Sequence, residues 1–191
     1  MTQLIEALSY PFVQRAIAAG VMISLCAALL GVILVLKQYS LIGHGLGDVG
    51  FASTSLAVAL GLPVMAVSIP IVVIAACLIM FWSQRSKTGG DTAIGMVATG
   101  ALSIGVIITA MSSGFNVDVN GYMFGSILAM SREDVIFSVV LSIVILVLFV
   151  VFYNRLFLIT FDENFAKASG IRVGFYQFLI ALLTALTVVM G

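Results

Sequence analysis

The run DVIFSVVLSIVILVLFVVFY, residues 134–153, carries one charge, at its first position. A helix needs about 20 predominantly apolar residues to cross the hydrocarbon of a bilayer, and this run supplies them. Five more segments qualify on the same reading, at 13–36, 47–62, 64–82, 93–112 and 173–191. The first is long enough to tilt, and the second is the shortest, with glycine inside it. Pro63 and the polar stretch SQRSKTGGD at 83–91 separate its neighbours. Small residues at four-residue spacing, such as Ala16, Gly20 and Ser24, allow close approach of helices within a bundle. The expected fold is therefore all-α, a polytopic transmembrane helical bundle of about six spans in one domain covering 1–191.

Composition agrees. The 191 residues are 62% hydrophobic and 8% charged, with a mean hydropathy of +1.27. A soluble domain carries about 25% charged residues. Net charge is zero and there is no basic run, so nothing points to nucleic acid. Cys26 and Cys77 fall inside apolar segments without CxxC or Cys/His spacing and read as small buried residues. The opening MTQLIEALSYPF lacks a basic leader and a small-residue cleavage site, and reads as an uncleaved start. The chain stops at Gly191, within or at the end of the sixth segment, so it is expected to be C-terminally incomplete.

Basic residues set the expected orientation. With the N-terminus outside, Lys37, Arg85, Lys87, Arg155, Lys167 and Arg172 lie inside, leaving Arg15 and Arg132 outside. Lys and Arg accumulate on the cytoplasmic side, which favours this arrangement over its reverse.

Two places carry chemistry. His44, the one histidine, lies four residues before Asp48, and no further charge follows until after Trp82. On a helix that spacing puts imidazole and carboxylate on one face. A carboxylate in hydrocarbon costs roughly 2.5–3.5 kcal/mol on insertion scales, which argues for a task. The pair can hold a divalent transition metal, or it can be a structural hydrogen bond. The second place is RLFLITFDENFAKASGIRVGF at 155–175. Asp162 and Glu163 open a short helical pattern, Phe165, Ala166 and Ala168 give it an apolar and small face, and Gly170 can end it. Such a helix lies at the membrane surface or docks a cytosolic partner. No HExxH, phosphate loop or nucleophile–base constellation is present, so the chain is not expected to be an enzyme.

Four stretches together resemble the integral-membrane permease subunits of bacterial ABC importers for zinc, manganese or iron. They are VLKQYSLIGHGLGDVGFAS at 35–53, DTAIGMVATGALSIGVI at 91–107, GYMFGSILAMSREDV at 121–135, with Tyr122, Phe124, Gly125 and Ser126 matching, and FDENFAKASGI at 161–171. The resemblance implies a cytoplasmic-membrane permease that works with a second permease copy, identical or related, and a cytosolic ATPase subunit. It also implies an extracytoplasmic metal-binding protein, a transported divalent metal and no bound cofactor. Asp162, Glu163, Ala166, Ala168 and Gly170 then fall on the ATPase-coupling helix, and His44 and Asp48 on a transient metal site. Many members place aspartate first, as D-x-x-x-H; here the order is reversed. Two ligands are too few for zinc, which takes four. Others would come from a second copy, from later helices, or from Asp118 and Asn116. An iron-chelate or corrinoid permease, an ion-gradient-driven carrier and a membrane scaffold are the competing readings.

Overall fold

The computed structural model describes residues 10–85, 90–111 and 132–190. Among them are seven helices and no strand. These are α1 Pro11–Leu36, α2 Ile42–Ala59, α3 Val64–Arg85, α4 Gly90–Met111, α5 Arg132–Phe161, α6 Glu163–Ala168 and α7 Val173–Met190. Five are long and apolar enough to cross a membrane: α1, α3, α4, α5 and α7.

The segment expected at 47–62 folds instead as α2, begins five residues earlier, and is not among those five. Four glycines, His44, Asp48 and three hydroxyl residues dilute its apolar character. It stays within the bundle because it is covered by protein, packing against α3, α4 and α7. Polar side chains are tolerated at such depth when they face other helices.

Three helix ends close in the same way. After α1, the N–H of Tyr39 donates to the carbonyl of Leu34 and that of Gln38 to Val35. After α2, Leu62 donates to Ala57 and Gly61 to Val58; after α6, Ile171 donates to Ala166 and Gly170 to Lys167. This is the Schellman pattern, which satisfies carbonyls that the helix leaves open and needs a left-handed residue at its pivot. The pivots have φ of 59° at Gln38, 66° at Gly61 and 78° at Gly170. Each closure turns the chain sharply. The first sends α2 away from α1 and into the bundle against α4, and the second lets Pro63 and α3 return along α2.

α2 and α4 run parallel, side by side, for most of their length. The contacts advance in register: Leu41 with Asp91, Gly45 with Ile94 and Ala98, Phe51 and Ala52 with Gly105, Ser55 with Thr109. Glycine permits this proximity. A Cβ on Gly45 would strike the Ile94 side chain, and one on Gly105 would sit 2.8 Å from the Phe51 ring and 3.0 Å from the Ala52 Cα. α1 packs along α5, where the Cys26 thiol meets the Ser142 carbonyl at 3.5 Å. α7 is the hub, touching α1, α2, α3, α5 and α6. Thr184 and Thr187 fold their hydroxyls back onto the carbonyls of Ile180 and Leu183, so they add no unpaired polar group to its buried surface.

Candidate functional site

At one end of the bundle meet the C-termini of α1 and α5 and the N-termini of α2, α4 and α7. There Asp91, in the first turn of α4, reaches across to the start of α2. Its Oδ1 accepts the Leu41 N–H at 3.0 Å and its Oδ2 accepts the Ser40 hydroxyl at 2.6 Å. α2 has no cap of its own. A neighbouring helix thus supplies the acceptor that a local Ser or Asp would ordinarily provide.

His44 and Asp48 follow within the first two turns of α2. Their spacing brings Nε2 of His44 to 3.9 Å from Oδ2 of Asp48. The two side chains differ sharply in cover. That of His44 is 80% exposed and that of Asp48 only 9%. Among the described residues Asp48 makes no hydrogen bond, and His44 is its one charged neighbour. A buried carboxylate with free lone pairs beside an exposed imidazole can accept a cation arriving along the imidazole side. Among the described residues no third His, Cys, Asp or Glu joins them. Asn116, Asp118 and the matched positions Tyr122, Phe124, Gly125 and Ser126 lie outside the described residues.

α6 forms at the position expected. Asp162 caps it, accepting the Phe165 N–H at 2.9 Å, and the Gly170 turn ends it. Glu163 is half-buried. One oxygen meets Lys167 at 2.7 Å, and the other accepts from Gln177 of α7 at 3.2 Å. Ala166 is fully buried in a small cluster with Ile159 and Val173, which pins α6 to the ends of α5 and α7. Phe165, Lys167 and Ala168 face outward, with Phe165 57% exposed. The face available to a partner is thus centred on Phe165.

A cleft of about 270 Å³ lies between the end of α1 and α6, lined by Lys37, Tyr39, Thr160, Glu163 and Gln177 among others. Burial holds the Lys37 ammonium below its ordinary value, and the nearby Glu163 charge offsets part of that effect. Lys37, Asp91 and Gln177 were not singled out from sequence. Their roles depend on partners 50 or more residues away in two cases, a distance that local patterns do not encode. The Asp-Thr pair at 91–92, an acidic helix start, was the one available signal.

Apolar crossing helices, a buried carboxylate near one end and a capped surface helix at that same end define a polytopic membrane protein. The chain belongs to the ABC 3 transport family, whose model matches residues 9–191. It is 29% identical over 184 residues to the manganese transport system membrane protein MntC of Halalkalibacterium halodurans, covering 96% of this chain and 63% of that protein. It is 30% identical over 187 residues to the manganese transport system membrane protein MntB of Synechocystis, covering 97% and 60%. A solved structure of PsaBC from Streptococcus pneumoniae in complex with Fab superposes with a TM-score of 0.82 at 28% identity, over 99% of this chain and 68% of that one. The chain thus spans under two thirds of the length of these curated relatives.

Proposed function

We propose that the chain is the membrane-spanning permease part of an ATP-driven importer of divalent metal, with manganese the foremost candidate. The observation that carries this is the family match along residues 9–191, with relatives named for manganese transport. Imidazole with carboxylate also suits zinc and iron(II), so cargo choice rests on the relatives' names.

The geometry supports the following mechanism. Lys37, Lys167 and Arg172 gather with Arg155 toward the α6 end, and Arg15 lies toward the other, which supports an outside N-terminus by charge bias. α6 then faces the cytosol and presents Phe165 to an ATPase subunit, with Glu163 and Asp162 holding the helix in shape. Closure of the ATPase pair would press on α6. Glu163 relays that displacement to α7 through Gln177, and the cleft at Lys37 and Tyr39 relays it to the α1–α2 turn. From there α2 and α4 move as a unit. A metal ion released by an extracytoplasmic binding protein pauses at His44 and Asp48, with water or a second permease copy completing its shell. Two protein ligands keep the stop weak, as onward movement requires.

Asp48→Ala in the full complex should abolish metal accumulation while leaving assembly with the ATPase intact, read by elemental analysis of metal-limited cells and by co-purification. Normal accumulation in that variant would remove Asp48 from the pathway. Unchanged accumulation with a hydrolysis-dead ATPase would replace the ATP-driven reading with a gradient-driven carrier.

A further inference from the structure

We propose that Arg155 and Arg172 form a binding site for the phosphate of an anionic phospholipid headgroup. Both line a cavity of about 390 Å³ between the end of α5 and the start of α7, with Gly170, Ile171, Phe175 and Tyr176. Both guanidinium groups belong to exposed residues. Among the described residues neither pairs with a carboxylate, since the ion pairs there are His44–Asp48 and Glu163–Lys167. Two unpartnered guanidiniums beside one cavity favour an anion, and their forked donors suit phosphate oxygens. The positive end of the α7 dipole adds to the same field.

Depth selects lipid over protein as the source. Arg155 lies inside the apolar stretch Val135–Phe161, six residues before its end. At 1.5 Å per residue that is about 9 Å along the helix, the level of headgroup and glycerol when the helix end marks the membrane surface. Arg172 immediately precedes the α7 span. Aromatic rings mark the same boundary. Tyr153, Phe157 and Phe161 form a ladder with centroids 5.6 and 4.4 Å apart, and Phe175 is 56% exposed beside the cavity. Of these rings Tyr153 lies two residues before Arg155, and Tyr176 lines the cavity itself; tyrosine is enriched where acyl chains give way to headgroups.

The test is titration of the detergent-purified full-length permease with phosphatidylglycerol or phosphatidylcholine, read by native mass spectrometry. Wild type should prefer phosphatidylglycerol. The R155Q/R172Q variant should lose about 30-fold in affinity for it, taking each basic side chain as about five-fold near an anionic surface. R155K/R172K, which keeps the charges and loses the forked donors, should fall between wild type and the double glutamine variant, and R15Q should keep the full preference. If the double glutamine variant does not fold, R155Q and R172Q singly should each lose about five-fold. Equal phosphatidylglycerol affinity in wild type and glutamine variants overturns the proposal. So does full displacement of the lipid by inorganic phosphate, which would make the site one for a free anion. Loss of ATPase binding with lipid binding unchanged would also overturn it, by assigning the pair to a protein contact.

Discussion

Replacing Gly105 with alanine tests whether the α2–α4 contact is as tight as it looks. The new methyl carbon would lie 2.8 Å from Cδ1 and Cε1 of Phe51 and 3.0 Å from the Ala52 Cα, where ordinary contact begins at 3.4 Å. Phe51 is 9% exposed and Ala52 contributes backbone, so neither moves freely. The helices must separate by several tenths of an ångström or the ring must leave its rotamer, which costs about 1–3 kcal/mol. Alanine also favours a helix over glycine by about 0.8–1.0 kcal/mol, which masks part of the loss. Gly100→Ala on the same helix provides the comparison, because its methyl meets nothing within 4 Å. Subtracting the two variants cancels the propensity gain and leaves the contact. At about 2–4 °C per kcal/mol for a chain of this size, Gly105→Ala should melt roughly 2–12 °C below Gly100→Ala. Thermal unfolding in detergent, followed by light scattering and intrinsic fluorescence, measures this. Equal melting temperatures for the two variants would refute the packing argument and the coupled movement of α2 and α4 that rests on it.

Asp91→Ala should free the Leu41 N–H and the Ser40 hydroxyl and cost about 0.5–2 kcal/mol, the usual range for a lost helix cap. Hydrogen exchange should show faster opening at residues 40–43, and protection equal to wild type would exclude a capping role. Lys37 gives a pH signature. Its folded-state value lies below the ordinary 10.5, so its charge costs stability at neutral pH, and the cost fades as pH rises through the folded-state value toward 10.5. Lys37→Met should therefore melt higher than wild type at neutral pH, with the gap narrowing across the alkaline range. A constant gap would mean that burial of the charge is not the cause.

The sequence announced the crossing helices through their lack of charge, because bilayer thickness imposes a length that composition must meet. Their ends were less visible. α5 continues to Phe161, eight residues past the expected limit, because Tyr153, Asn154 and Arg155 interrupt the apolar pattern without breaking the helix. α2 begins before its apolar run because Asp91, from another helix, caps its start. Asp162 and Gly170 were legible as the ends of α6, since both act on backbone within a few residues of themselves. The spacing of His44 and Asp48 was legible too. Their unequal burial was not, because a period of 3.6 fixes which side chains share a face and leaves open what covers each.

The central place of α7 bears on how the protein is made. This helix contacts five of the other six, yet it follows all of them along the chain. During synthesis, helices α1 to α5 enter the bilayer before the segment that joins them exists. Until then the surfaces of α1, α3 and α5 that α7 covers have no protein partner. Before α7 arrives, α1 packs with α5 while α2, α3 and α4 pack with one another, and α7 is the helix that ties the two groups together. A substitution that slows insertion of α7 should therefore surface as poor membrane yield, with the two helix groups formed but unjoined.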